Sequence, residues 1–294
     1  MLNLKGVGVA LVTPFTEQKE INFEEFERVV NYVIEGGVDY VVVLGTTGES
    51  ATLDKQEKQD LIKACVQATN KRVPVVAGFG GNNTRSIIND INSYELDGVD
   101  AILSVSPYYN KPTQEGIVEH YKAIDANTNL PIILYNVPGR TASNIRATTT
   151  LTLAHECKNI IAIKEASNDW QQIFWLAREK PKDFLLLSGN DDLIVPQISI
   201  GYDGVISVIA NALPKQFSTM VHQALEGDFA SARNTVYAID ELITYLFEQG
   251  NPAGVKATMK HLSVCEEYVR LPLMPINEDL RQKIGQKLKQ LELL

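Results

Sequence analysis

Lys164 closes the run Ile160-Ile161-Ala162-Ile163-Lys164, which puts an amine at the end of an otherwise apolar segment. At the mouth of a buried sheet such an amine can attack a carbonyl carbon, and the product is a Schiff base. Tyr135 closes another such run, Pro131 to Tyr135, and a phenol beside the amine can carry protons to and from the carbinolamine. Both residues admit plainer roles: Lys164 as a strand-end cation paired with Glu165, and Tyr135 as a core aromatic with a satisfied hydroxyl. Gly45-Thr46-Thr47-Gly48-Glu49-Ser50 adds two hydroxyls and backbone N–H groups at a strand-to-helix turn, suited to a small carboxylate and to proton relay. Arg140 can clamp a second carboxylate bidentately, and Tyr108-Tyr109 offers amphipathic contact side chains. Asn190-Asp191-Asp192 puts two carboxylates where a phosphate-binding barrel carries acid-poor loops, which disfavours phosphorylated substrates. His120, His155, His222 and His261 form neither His-x-His nor His-Glu-x-x-His spacing, so no metal-dependent reaction is indicated and helix-surface positions are expected for them.

These groups need a frame that brings strand ends together. Eight short apolar runs recur: Val7 to Val12, Tyr40 to Leu44, Val73 to Ala77, Ala101 to Val105, Pro131 to Tyr135, Ile160 to Lys164, Phe184 to Leu187 and Gly204 to Val208. Their continuous rather than alternating apolarity fits strands covered on both faces, as in a parallel sheet. Asn22 with Glu25, and Asp54 with Glu57, mark helix starts between them. The spacing predicts an α/β fold, a (β/α)8 TIM barrel over residues 1–225. A doubly wound sheet alternates in the same way, but its glycine-rich phosphate turn has only Gly78-Phe79-Gly80-Gly81 as a candidate, which lacks the third spaced glycine and reads as a short turn. Beyond residue 225 the rhythm becomes helical over Phe229 to Phe247, Ala253 to Leu262 and Glu278 to Leu293. This predicts a C-terminal helical appendage over 226–294.

The chain has 27 Lys and Arg against 36 Asp and Glu, a formal charge of −9, which opposes binding to nucleic acid or anionic membrane. Cys65, Cys157 and Cys265 lie far apart with no Cys-x-x-Cys pair, so a reduced, cytoplasmic chain is expected. The apolar run after Lys5 passes into Thr13-Pro14-Phe15 without a cleavage pattern and reads as a first strand rather than a signal peptide.

Taken together, Gly45-Thr46-Thr47-Gly48-Glu49-Ser50, Pro107-Tyr108-Tyr109-Asn110-Lys111-Pro112, Tyr135 to Thr141, Ile163-Lys164-Glu165-Ala166 and Gly204 to Val208 closely resemble the dihydrodipicolinate synthase family, over essentially the whole chain. The resemblance implies a class I aldolase-like lyase that condenses pyruvate with L-aspartate 4-semialdehyde on the route to diaminopimelate and lysine. It uses no metal or organic cofactor. By that likeness Lys164 forms the Schiff base, Tyr135 is the general acid/base, and Thr46 and Tyr109 complete its relay. Thr47 and the backbone carbonyl of Ile206 meet pyruvate, Arg140 receives the semialdehyde's carboxylate, and Gly189 lines the pocket. Gly139 departs from the small hydroxyl residue usual before that arginine. The same resemblance implies a homo-oligomer, dimer or tetramer, with Tyr109 reaching a neighbour's site. It also matches Ser50, Ala51, Asn82 and Tyr108 to a lysine-binding cleft in which Ser86 replaces a glutamate, and Lys55 and Lys58 replace two histidines. Low sensitivity to L-lysine is therefore expected. N-acetylneuraminate lyases and keto-deoxy sugar-acid aldolases would share the Lys164 and Tyr135 chemistry, but the Thr46-Thr47 pair and the Arg140 loop argue against them. A non-catalytic pyruvate-binding barrel is the alternative of another class.

Overall fold

A computed structural model describes residues 2–294. Runs rich in Val and Ile form eight strands, since branched side chains pack well on a pleated surface buried on both faces. They are β1 (Gly6–Ala10), β2 (Tyr40–Val43), β3 (Val75–Gly78), β4 (Ala101–Val105), β5 (Ile132–Asn136), β6 (Ile160–Glu165), β7 (Leu185–Ser188) and β8 (Gly204–Ser207). Every neighbouring pair is parallel, and β8 pairs with β1 to close the barrel. Helices α1 (Phe23–Glu35), α2 (Lys55–Thr69), α3 (Thr84–Ser93), α4 (Gln114–Asp125), α5 (Pro138–Thr141), α6 (Ala147–Glu156), α7 (Trp170–Glu179), α8 (Ile194–Ile198) and α9 (Pro214–Leu225) alternate with the strands. The helical region follows as α10 (Phe229–Glu248), α11 (Ala253–His261) and α12 (Glu278–Gln290).

All eight expected strands form. The third starts at Val75 rather than Val73, because Pro74 has no N–H and serves β2 only through its carbonyl, which accepts from Val41 N. Both expected caps form: Asn22 accepts from Glu25 N, and Asp54 with Glu57 makes a reciprocal capping box.

The barrel floor is held by carboxylates that immediately precede even-numbered strands. Asp39, Asp100 and Asp203 reach back to backbone N–H groups at the starts of β1, β3 and β7, accepting from Val7 N at 2.7 Å, Val75 N at 2.8 Å and Leu186 N at 3.1 Å. Charged acceptors make these bonds stronger than neutral ones. His222 Nε2 lies 2.7 Å from Asp39 Oδ2, and that carboxylate raises the imidazole above its usual range.

Inside the barrel, alternate residues of the strands form a separate apolar cluster that includes Tyr40, Val42, Leu103, Tyr135, Leu187 and Ile206. A larger core lies between strands and helices and runs without a break into Leu242, Ile243 and Leu246 of α10 and Ile284 of α12. The Gly78-Phe79-Gly80-Gly81 stretch is a packing device. A Cβ on Gly78 would stand 2.2 Å from the carbonyl oxygen of Leu44, and one on Gly80 would stand 2.6 Å from Val105 N. The expectation for the histidines holds only in part. His155 is exposed, but His120 turns inward from α4, is 6% exposed and shares a 2.8 Å hydrogen bond with Thr84 Oγ1, and burial lowers its pKa to about 4. His222 and His261 are half-buried against Asp39 and the Arg281 carbonyl. All three cysteines are buried and free, and burial pushes Cys65 and Cys265 up to about 12.

Among the described residues, no helix is long and apolar enough to cross a membrane.

Candidate active site

In the β5–β6 ladder Tyr135 stands opposite Lys164, so strand alternation turns both inward at the same level of the barrel mouth. Lys164 Nζ lies 4.5 Å from the centroid of the Tyr135 ring, and the two residues are 5% and 6% exposed. Glu165, one residue on, points to the opposite side of β6, where it bonds Asn136 and Gln172. The ion pair that sequence proximity suggested between Lys164 and Glu165 does not form. Burial raises the Glu165 carboxyl above the usual carboxylate range, against the opposing pull of its hydrogen-bond donors.

A cavity of about 520 Å³ opens over this pair and is lined by Thr46, Thr47, Tyr135, Arg140, Lys164 and Gly189, along with other residues. Five of these come from the ends of β2, β5, β6 and β7 and Arg140 from α5 just beyond β5, all on the face where such barrels do chemistry. Gly189 is required by close approach: a Cβ there would stand 2.4 Å from Ala166 Cβ and 3.2 Å from Lys164 Cε, crowding the amine's stem. Ile206 is fully buried in the inner cluster below the cavity, whose wall on that side is Val208. Tyr109 stays outside it, 88% exposed, with φ at 71° in the left-handed region.

Thr47 is 2% exposed, and its hydroxyl accepts from Asn251 Nδ2 at 3.0 Å. Below the turn, Glu49 (φ 54°) takes Lys256 Nζ on one carboxylate oxygen at 2.5 Å and Arg270 N on the other at 2.9 Å. Lys256 lies beneath the Phe15 ring at 4.4 Å and also donates to the Tyr268 carbonyl at 2.7 Å. Desolvation lowers this amine's pKa, with Glu49 opposing the shift. Arg270 spans Glu57 through Nη1 at 2.8 Å and Nη2 at 2.5 Å, which joins the α2 cap to the same assembly. The helical region therefore supplies part of the site: Ile243, Thr244, Phe247 and Glu248 of α10, together with Asn251, wall the cavity.

Sequence reasoning missed Asn251 and Lys256 as site-forming residues, and it read Asp191 only as a strand-end carboxylate that disfavours phosphorylated substrates. One local signal was available: Lys256 is the single charged residue in the stretch Ala253-Gly254-Val255-Lys256-Ala257-Thr258-Met259. Asp191 is buried in the cavity wall, and one of its oxygens accepts from Val208 N at 3.0 Å and Ile209 N at 2.8 Å. Desolvation raises its pKa.

Of the residues matched to an effector cleft, Ser50, Ala51, Lys58 and Tyr108 are dispersed across two smaller cavities, and Lys55, Asn82 and Ser86 line neither. Ser50 and Lys58 join Thr46, Asp90, Tyr94 and Tyr135 around one of about 110 Å³, while Ser50, Ala51 and Tyr108 join Pro272 and Leu273 around another of about 380 Å³. Lys55 Nζ donates to Ser93 Oγ at 3.0 Å and stands 5.5 Å from the Tyr94 ring centroid. Asn82 Nδ2 donates to the Tyr108 carbonyl at 3.1 Å, and Ser86 is exposed on α3.

Fold and site together define the class: a (β/α)8 barrel with a buried lysine and a buried tyrosine side by side at its mouth. The comparisons narrow this, because the model of the Dihydrodipicolinate synthetase family matches residues 3–291, and the chain belongs to that family. A 4-hydroxy-tetrahydrodipicolinate synthase of Flavobacterium psychrophilum is 50% identical over 286 residues, covering 97% of this chain and 98% of the relative. That of Parabacteroides distasonis is 48% identical over 292 residues, covering 99% and 98%. A crystal structure of the chloride-inhibited dihydrodipicolinate synthase from Acinetobacter baumannii, complexed with pyruvate, superposes with a TM-score of 0.96 at 37% identity, covering 99% of this chain and 100% of the other.

Proposed function

We propose that this chain condenses pyruvate with L-aspartate 4-semialdehyde through a Schiff base on Lys164 to give 4-hydroxy-tetrahydrodipicolinate, in the synthesis of diaminopimelate and lysine. The observation that carries the reading is the Lys164 amine 4.5 Å from the Tyr135 ring in one cavity with Thr47 and Arg140. Lys164 attacks the pyruvate carbonyl, whose oxygen leaves as water. The protonated imine then withdraws electrons from the adjoining methyl group. Tyr135, with Thr46 and a Tyr109 as its relay, takes the methyl proton, and the enamine attacks the aldehyde carbon. The semialdehyde's own amine then displaces Lys164 from the imine carbon, closing the ring and freeing the enzyme. Thr47, held by Asn251, and the Ile206 carbonyl receive pyruvate, Arg140 the aldehyde's carboxylate, and Gly189 keeps the passage open.

The working form is a homo-oligomer, dimer or tetramer, in which Tyr109 serves a neighbour's site. Its 88% exposure beside Tyr108, with Leu271 at 76%, supports that reading. We assign residues 1–225 to catalysis and 226–294 to the support that walls the cavity, and we place the enzyme in the cytoplasm, which suits three free buried thiols.

Borohydride reduction in the presence of pyruvate is expected to trap one adduct, mapped to Lys164 by peptide mass spectrometry, and the enzyme should turn over with the semialdehyde but not with sugar aldehydes. An adduct on a different lysine, or preference for a sugar aldehyde, would overturn the assignment.

L-Lysine is expected to inhibit weakly. Ser86 offers a neutral hydroxyl where a carboxylate would pair with an ammonium, and Lys55 and Lys58 add like charge. Losing one charged hydrogen bond costs about 1.5–3 kcal/mol, or on the order of 10- to 150-fold in affinity. Initial rates at sub-saturating pyruvate should hold through sub-millimolar lysine, whereas strong inhibition accompanied by calorimetric binding would refute this.

A further inference from the structure

Behind the reacting pair lies a second one. Asn136 and Glu165 follow Tyr135 and Lys164 on β5 and β6, are ladder partners, face away from the cavity and are fully buried. Asn136 Nδ2 stands 3.0 Å from both Glu165 oxygens, Gln172 Nε2 of α7 donates to Oε2 at 2.9 Å, and Ser167 N donates to Oε1 at 2.7 Å. The cluster then crosses to the segment that returns from Arg140. Asn136 Nδ2 donates to Asn144 Oδ1 at 2.8 Å, Ile145 N donates to Asn136 Oδ1 at 2.9 Å, and Asn144 Nδ2 donates to Gln172 Oε1 at 3.0 Å.

None of these groups has a part in the chemistry at Lys164, yet the chain buries a carboxylate and two amides beside it and half-buries a third. A buried polar group left without its partner is costly, so the return segment is tied to the C-terminal ends of β5 and β6. The outer side of the Arg140 loop has no such brace. A Cβ on Gly139 would meet nothing within 4 Å, and Arg140 itself is exposed.

We propose that Asn136, Glu165, Gln172 and Asn144 form a positioning network that sets where Arg140 stands, and so governs selection of the carboxylate-bearing aldehyde without touching either substrate. This rests on the reading of Arg140 as the receiver of that carboxylate.

Asn144→Ala removes the side-chain links from the loop to Asn136 and Gln172 at a half-buried position, leaving only the Ile145 N bond to Asn136 and both strands intact, while Glu165→Gln turns an amide N–H₂ toward donors. Each is expected to raise KM for the semialdehyde about tenfold, with KM for pyruvate and the borohydride-trapped Lys164 adduct changed by less than about twofold. A merely structural fault would move both substrates together, so equal rises, or loss of the adduct, overturn the proposal. Arg140→Ala in the same assay separates the two claims. A raised semialdehyde KM there, with Asn144→Ala unchanged, overturns the network alone. An unchanged KM in Arg140→Ala overturns the carboxylate reading and the network with it. Should Glu165→Gln fail to fold, Asn144→Ala still decides.

Discussion

Lys164→Arg is expected to lower turnover by about four to six orders of magnitude, the scale on which removing a covalent nucleophile acts in other enzymes. The substitution separates charge from nucleophilicity. A guanidinium keeps the positive charge beside the Tyr135 ring, and it has no free lone pair at any working pH with which to attack pyruvate. The longer side chain has room at the mouth of the roughly 520 Å³ cavity, with Gly189 leaving the stem clear. The variant should therefore fold with a circular dichroism spectrum and Tm close to those of the parent, and it should yield no trapped adduct with pyruvate and borohydride. Residual turnover within about tenfold of the parent would mean that the imine forms elsewhere or is not required.

Lys256→Met is expected to destabilise the protein by about 3–5 kcal/mol, because it leaves the Glu49 carboxylate in a site where both side chains are wholly shielded from solvent. For a protein of this size that corresponds to a fall in Tm of roughly 5–8 °C. The cost comes from stranding one charge, not from the loss of an attraction, so the double variant Lys256→Met with Glu49→Gln should recover most of the loss. Glu49 also accepts Arg270 N and closes the turn that holds Thr47, so the single variant should raise KM for pyruvate as well. Scanning calorimetry with pyruvate kinetics tests both. A Tm within about a degree of the parent would show that the pair is dispensable.

The two variants probe different sources of information about the site. Lys164 and Tyr135 were legible because each ends a continuous apolar run, and a polar group at the end of a buried strand stands out against its own neighbours. The Thr46-Thr47 turn and Arg140 were legible for the same local reason, and their family likeness assigned them roles. What local reading could not supply was direction. Glu165 looked like a partner for Lys164 because it adjoins it, yet the two-residue period of a strand sends adjacent side chains to opposite faces.

By itself, the amino-acid sequence determined the eight strands, the parallel sheet they imply and the amine and phenol at its mouth, since all of these follow from patterns within about ten residues. Only the tertiary structure decided which distant groups complete the site. Lys256 pairs with Glu49 across 207 positions, Asn251 reaches Thr47 across 204, and Asn136 meets Glu165 across 29. A lysine in an apolar stretch of helix, or an asparagine at the end of a strand, is compatible with many partners. The choice is made when the barrel closes and buries them, because a buried charge or amide must then bond whatever the closed fold brings within reach.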